Sequence, residues 1–343
     1  MNASGKAVIR VALALSVAGL LTIGAHALRF PSAASDYSCT SNSTEEVQVA
    51  VAAGESGSSI ALTLFTLGVV RSQSAFFALA ISDKGAAAIA PGVHLVNTKL
   101  CAVTALAQLL DSKRIVGLLN IQEGARQSEV IDQMVSLGYS KKALLLAIRE
   151  VKLSAPFKQV EGLLFPAQYS FAKGTSAATA IDHIVTNGLA QIKAAGLMAP
   201  NLKYSGQELL TIASIIEAEG HLKDFSKISR VIRNRLAIDM PLQMDSTVHY
   251  IEQSRGRIFL STKSTLVASK YNTYKYYGLP PGPIGNPGRA AMAAVLHPAA
   301  GDWLFFITVA PGDTRFTKSM AEFSGWKVIY QKNLSAGLFR SEK

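Results

Sequence analysis

The sequence predicts an α+β protein in three parts: an apolar N-terminal segment, a small mixed module and a larger mixed domain. Three observations carry this. Val47-Gln48-Val49-Ala50-Val51 alternates as a strand does, with period two. Longer stretches, Gln207 to Gly220 above all, repeat apolar residues at helical spacing. Val11 to Ala27 is a continuous apolar run behind Lys6 and Arg10. A chain of 343 residues has material for two or three domains with cores of their own.

Net charge is +11, yet only 17% of residues are charged, so the excess comes from a shortage of acids and not from basic tracts. No zinc-ligand cluster, RNA-binding signature or Lys/Arg run is present, and nucleic acid is not indicated as a partner. A surface bearing acidic groups, such as a membrane or cell wall, suits the charge.

Residues 1–30 are expected to be a cytoplasmic tip and a transmembrane anchor. About 20 apolar residues span a bilayer, and Ala7 to Leu28 suffices if the Arg10 side chain reaches the interface. Ala25-His26-Ala27 also fits a signal-peptidase site, so a cleaved signal stays open. Either reading sends the rest of the chain out of the cytoplasm. Residues 31–46, rich in Ser, Thr, Ala and Asn, form a linker. Cys39 lies there and Cys101 beyond the next strands and helices; in an exported chain the pair permits one disulfide or two separate thiols.

Residues 47–113 form the small α+β module. Helices are predicted over Ser56–Val70, Ser74–Ile81 and Ala102–Leu110, with a second strand at His94-Leu95-Val96. From residue 114 to 343 the larger domain follows. It opens with a strand at Ile115–Ile121, then helices at Ser128–Leu137 and Ser140–Leu153. A compact turn-and-strand at Val160–Pro166 and a helix at Asp182–Ala195 lead to Gln207–Gly220.

That last stretch organises the domain. Ser205 with Glu208 three residues on makes a capping box, and Gly220 suits the position just past a helix end. Glu217 and Glu219 then occupy the last turn, where the macrodipole and apolar surroundings both disfavour an ionised carboxylate. A carboxyl that keeps its proton near neutrality is what a general acid needs. Solvated end residues are the plainer alternative. Two positions apart means about 200° around the axis, so the two do not face one substrate as a pair.

Downstream, Ile228–Leu236 is an amphipathic helix. Met240 to Tyr250 gathers Gln243, Asp245, Ser246, Thr247 and Tyr250, and also reads as a capped helix start at Asp245 or Ser246. Tyr271-Asn272-Thr273-Tyr274 precedes Gly278-Leu279-Pro280-Pro281-Gly282-Pro283-Ile284-Gly285-Asn286-Pro287-Gly288. So much Pro and Gly fixes a rigid loop, either a sugar-binding wall or pure scaffolding. A strand at Asp302–Val309 and a terminal helix ending near Leu338 complete the chain.

Ala213-Ser214-Ile215-Ile216-Glu217-Ala218-Glu219 resembles the signature of the endolytic murein transglycosylases, the YceG-like (MltG) family. Asn234-Arg235-Leu236, Leu242 to Val248, Tyr271 to Tyr274 and Gly278 to Gly288 match further blocks in order, as do Ile121 to Gly124 and Glu161 to Pro166. The resemblance covers about Val47 to Phe323. It implies a bitopic plasma-membrane protein with its catalytic part extracytoplasmic, a LysM-like first module over 47–113 and a YceG-like catalytic domain over 114–343. It also implies cleavage of nascent peptidoglycan glycan strands between N-acetylmuramic acid and N-acetylglucosamine, without metal or organic cofactor.

On this resemblance Glu219 is the catalytic acid and base, with Glu217 a supporting partner. Asn234, Gln243, Asp245, Thr247, Tyr250, Tyr271, Asn272, Tyr274 and Asn286 become substrate-binding or supporting residues. Cell-wall synthases or division proteins are compatible partners, and the sequence selects none of them. Ala218 stands where many relatives carry Lys, and Ala167-Gln168 follows Pro166 where relatives often have Asp-Thr. A lysozyme-like muramidase that uses water, and a non-catalytic wall-binding or division scaffold, are the two rivals.

Overall fold

The computed structural model describes residues 36–40, 43–200, 202–255 and 263–339. The expected membrane segment lies outside them, and among the described residues no helix is long and apolar enough to cross a membrane. The chain divides into two compact units. The first runs to Leu118 and takes in Ser170–Lys173; the second holds Leu119–Tyr169 and the chain from Gly174 onward.

In the first unit β1 (Glu46–Val51) pairs antiparallel with β2 (Gly92–Asn97), and β2 with β3 (Ile115–Val116). Helices α1 (Gly57–Thr66) and α2 (Gln73–Ser82) are each started by a serine, Ser56 and Ser72, whose hydroxyl accepts a first-turn N–H. The alternation in β1 turns Val49 and Val51 inward, where they join Leu64, Phe76, Val96 and Leu109 in one buried cluster. Helix α3 (Ala102–Leu110) begins at Cys101, which offers no side-chain cap. Asp36 supplies it instead, its Oδ2 accepting the Ala102 N–H at 2.8 Å. Cys39 and Cys101 are joined in a disulfide with their Cα atoms 5.0 Å apart.

The strand expected over Ile115–Ile121 is interrupted after Val116. Gly117 has φ +62°, a left-handed conformation, and a Cβ there would sit 2.0 Å from the Phe171 carbonyl oxygen. The chain resumes as β4 (Leu118–Asn120), which forms a two-stranded sheet with β5 (Gln168–Ser170). Apolar content alone had not distinguished one strand from two.

The second unit is mainly helical. Its helices are α4 (Gln127–Ser136), α5 (Lys141–Glu150), α6 (Ala177–Ala194), α7 (Gly206–Glu219), α8 (Phe225–Ala237), α9 (Asp245–Ile251), α10 (Arg289–Leu296) and α11 (Met320–Ser335). A hairpin of β6 (Phe305–Ala310) and β7 (Asp313–Thr317) precedes α11. The second strand of that hairpin was not foreseen, because Asp313-Thr314-Arg315 carries no apolar alternation.

Helix α7 starts as the sequence predicts. The Ser205 hydroxyl accepts the Glu208 N–H and the Glu208 carboxylate accepts the Ser205 N–H, the reciprocal capping box. From Leu209 to Ile216 it is buried on every side, so it is a core helix and not the amphipathic one expected. Its polar members satisfy themselves internally: Thr211 donates to the Gln207 carbonyl and Ser214 to the Thr211 carbonyl, each at 2.8 Å. Gly220 is not left-handed as a C′ glycine would be; its φ is −148°. A Cβ there would meet Ile228 Cδ1 at 2.2 Å, so any larger residue would have to displace the fully buried Ile228 side chain of α8.

Candidate active site

Three stretches far apart in the chain meet at one asparagine. Asn286 is fully buried. Its Oδ1 accepts the Leu164 N–H at 2.9 Å, and its Nδ2 donates to the Ala125 carbonyl at 2.6 Å. Its backbone N–H also donates to Ala125 and its carbonyl accepts the Gly124 N–H, both at 2.8 Å. The Pro/Gly loop is buried from Gly282 to Gly288. It is tied to α7 at two points: Ser214 Oγ accepts the Ile284 N–H at 3.0 Å, and Glu217 Oε2 accepts the Gly288 N–H at 2.9 Å. Glu217 therefore faces this loop. Burial, reinforced by the nearby Glu123 charge, raises its proton affinity, and the Gly288 N–H works against that.

Asn286→Ala is accordingly expected to act through stability. Leu164 loses its partner in a buried position, at about 1–3 kcal/mol for the stranded donor, and the vacated volume adds to that. The expected total is about 3 kcal/mol, read as a lower melting temperature of the second unit. An unchanged melting curve would return Asn286 to the surface of the substrate cleft.

Glu219 ends α7 on the opposite side. The residue retains some exposure, while its carboxyl is set deep among protein atoms. Oε1 accepts the Ser246 N–H, in the first turn of α9, at 3.0 Å. The junction thus brings the negative end of one helix to the positive end of another. Burial is the largest influence and raises the carboxyl pKa, and the Asp245 charge adds to it. The Ser246 N–H and the Arg235 guanidinium pull the other way. So does the Ser246 hydroxyl, which is buried beside the carboxyl without completing a directed hydrogen bond. Burial wins, and the carboxyl holds its proton above the usual range.

Around it, Tyr274 donates its hydroxyl to Asp245 Oδ1. Arg235 donates to the Leu304 carbonyl at 2.6 Å and to the Leu242 carbonyl, with its guanidinium 5.4 Å from the Phe305 ring centroid. Burial pushes Arg235 down to about 10, still charged at neutrality. Gln243 is exposed, with φ +47° and its N–H donating to the Thr273 carbonyl at 3.0 Å. A non-glycine residue held left-handed beside a site is an uncommon conformation kept in place by its surroundings.

At the far end of α9, Tyr250 packs against Tyr271, with ring centroids 5.0 Å apart and planes tilted by 41°, and donates its hydroxyl to Glu161 Oε2 at 3.2 Å. Glu161 Oε1 accepts the Gln127 N–H at 2.9 Å. Burial raises Glu161 to about 7 against these two hydrogen bonds and the Arg126 charge.

The expected site residues thus separate by position. Glu219, Asp245 and Tyr274 gather at the α7–α9 junction, Gln243 is exposed two positions before Asp245, and Tyr250, near the end of α9, packs with Tyr271. Asn272, Thr247 and Asn234 have their polar groups committed inward. Asn272 Nδ2 donates to the Val267 carbonyl at 2.8 Å and its Oδ1 accepts the Tyr274 N–H at 3.0 Å. Thr247 Oγ1 donates to the Met244 carbonyl at 2.7 Å, and Asn234 Nδ2 to the Trp303 carbonyl at 2.9 Å. The sequence offers Ser246 only as one of a polar group and a helix cap, and it does not mark Arg235 at Glu219, or Glu161 and Arg126 at Tyr250, as site residues. An unpaired Arg on the apolar side of α8, next to Asn234, was the available signal for Arg235.

The chain is an α+β protein whose second unit presents a protonatable carboxyl at the end of its central helix. Residues 49–327 match the sequence profile of the YceG-like family, and the chain belongs to that family. It is 32% identical over 313 residues to the endolytic murein transglycosylase of Bacillus subtilis (strain 168), covering 84% of this chain and 86% of that one. To the endolytic murein transglycosylase of Streptococcus pneumoniae (strain ATCC BAA-255 / R6) it is 33% identical over 184 residues, which is 51% of this chain and 33% of that protein. Among solved structures, a yceG-like protein from Listeria monocytogenes superposes with a TM-score of 0.56 at 29% identity, over 82% of this chain and 99% of that one.

Proposed function

We propose that this protein is an endolytic peptidoglycan lytic transglycosylase. It cleaves the bond between N-acetylmuramic acid and N-acetylglucosamine within nascent glycan strands and leaves 1,6-anhydro-muramyl ends. The observation that carries the reading is the Glu219 carboxyl, deep-set at a helix junction, with one oxygen on the Ser246 N–H and a raised pKa. Similarity to proteins named endolytic murein transglycosylase supports it.

In the first step Glu219 gives its proton to the glycosidic oxygen as the bond to C1 breaks. Positive charge spreads over C1 and the ring oxygen, and the negative charges of Asp245 and of Glu219 itself lie within reach to stabilise it. The muramyl C6 hydroxyl then bonds to C1 and returns its proton to Glu219. Most glycosidases need a second carboxylate as nucleophile or as base for water. An intramolecular hydroxyl removes that need, since well-placed groups reach effective molarities of about 10⁵ M or more, against roughly 55 M water. On this reading Gln243, Tyr250, Tyr271 and Tyr274 touch sugar, while Asn234, Thr247, Asn272, Asn286 and Glu217 hold the walls.

Residues 47–113 are assigned a LysM-like, glycan-binding role, and residues 1–30 that of a single-pass plasma-membrane anchor that keeps the rest outside the cytoplasm. The Cys39–Cys101 disulfide supports an oxidising location. Uncrosslinked glycan strands incubated with the full chain are expected to yield ends one water lighter than hydrolysis products. Products at the hydrolytic mass would make the protein a muramidase, and strands left intact would make it a binding scaffold.

A further inference from the structure

Beside the candidate active site, and separate from Glu219, the second unit contains a cavity of about 290 Å³ between α4, α5 and the C-terminal end of α9. Glu161 lines it and is 7% exposed. Its two oxygens take one hydrogen bond each, from the Gln127 N–H and the Tyr250 hydroxyl. A carboxyl offers more acceptor positions than these two bonds use, so acceptor capacity is left over. Tyr250 adds an aromatic surface, braced behind by Tyr271 at 5.0 Å and by the Arg126 guanidinium at 5.7 Å.

The remaining lining decides the chemistry of the occupant. Ser128 and Gln253 bring a hydroxyl and an amide, already joined to each other at 3.2 Å. Ile131 and Leu145 bring apolar surface. Lys141, the ammonium in the lining, is paired with Asp132 at 3.1 Å and brings no net charge. Donors, acceptors, one aromatic face and a small apolar patch, with no unpaired cation and Glu161 as the one acidic group, match an uncharged N-acetylated sugar: a ring to pack on the aromatic face, hydroxyls and an amide N–H to bond, a methyl to bury. The volume equals that of about ten waters at ~30 Å³ each, room for a single ring and not for a disaccharide.

Helix α9 connects the two places. Ser246 at its start holds Glu219, and Tyr250 near its end holds Glu161. Four residues separate them, about 6 Å along the axis. The Tyr271–Tyr274 segment is shared as well, since Tyr274 bonds Asp245 and Tyr271 packs against Tyr250. A strand lying across Glu219 therefore extends towards this cavity.

The geometry points to a second carbohydrate subsite here: the cavity floored by Glu161 and walled by Tyr250, Gln127 and Leu145 takes one uncharged N-acetylhexosamine ring of the strand whose scissile bond lies at Glu219. This rests on the function proposed above. It makes the cavity a determinant of where along a strand the cut falls.

The test uses the full chain carrying Glu219→Gln, so that strands bind without being cut. Uncrosslinked glycan strands, with and without their peptides, and the β-1,4 trimer of N-acetylglucosamine are titrated by calorimetry. Leu145→Arg places a long cation at the mouth of the cavity from a position that is 49% exposed, where the fold tolerates it. Gln127→Ala removes the amide and keeps the backbone N–H on Glu161. Both variants, checked for unchanged melting, are expected to weaken strand and trimer binding by about tenfold, and to change the product-length distribution when placed in the cleaving parent. Affinity within twofold of the parent for both variants overturns the subsite. Weakening confined to peptide-bearing strands overturns the sugar assignment in favour of the peptide. If the cleaving parent itself leaves strands intact, the failure lies with the proposed function and not with the cavity.

Discussion

Glu219→Gln is expected to lower the rate of glycan cleavage by about 10²–10⁴-fold, the contribution of a positioned general acid. Glutamine keeps the shape and can still accept the Ser246 N–H, so the junction of α7 and α9 stays intact and the melting curve moves little. What it lacks is the transferable proton. Glu217→Gln should cost less than tenfold, because an amide oxygen can take over the Gly288 N–H. Equal losses from both, with melting unchanged, would show that the roles are wrongly divided. The pH profile gives a second reading. The acid must be protonated to act, and burial raises the pKa of Glu219, so activity should persist through the ordinary carboxylate range. It should fall as pH rises through that raised value. A rate that instead rises with pH across the same interval would make Glu219 a base in the limiting step.

Replacing Cys39 and Cys101 together by serine should cost the first unit about 4 kcal/mol. The bridge spans a sequence separation of 62. Loop-closure entropy for a loop of that size gives about 4 kcal/mol, and measured values commonly fall between 2 and 4. Local consequences follow from what the bridge holds. Asp36, close by in sequence, caps α3 through the Ala102 N–H, and this contact becomes easier to break once the tether is gone. Hydrogen exchange should therefore quicken first at the start of α3, ahead of the buried β1–β2 pair. A first unit whose melting and exchange are unchanged after reduction would show that the bridge merely accompanies a fold already secured by Leu64, Phe76 and Leu109.

The elements legible in the sequence are those governed by local rules. Capping-box chemistry placed the start of α7 at Ser205, and helical spacing found α3 at Ala102–Leu110 without error. The opposition of Glu217 and Glu219 followed from helical geometry alone, and the structure gives each its own backbone N–H, from Gly288 and from Ser246. What stayed hidden depends on contacts across long separations. That Asn286 binds Leu164 is a bond over 122 positions. In the sequence it was one more asparagine in a turn-rich loop, equally apt for a sugar. Arg235 and Glu161 were missed for the same reason, because a charge within an apolar stretch does not announce what it will face. Gly220 suits a helix end in the sequence, whereas in the structure its backbone is extended and a side chain there would run into Ile228.

The bond between Ser246 and Glu219 makes the two oxygens of one carboxyl unequal. Oε1 is occupied by an N–H donor, so in the protonated group it is the carbonyl-like oxygen, and the hydrogen belongs to Oε2. On the proposed mechanism the same oxygen that releases the proton is the one left bare to collect it from the C6 hydroxyl. No rotation of the group has to intervene between the two halves of the cycle. It also gives the cleft a direction. The leaving oxygen and the incoming hydroxyl must both approach Oε2, and the two glycosidic neighbours of a muramyl ring are not interchangeable in that respect. A strand threaded from its other end would present the wrong atom there. The enzyme would accordingly read glycan with a fixed polarity, set by a single peptide N–H.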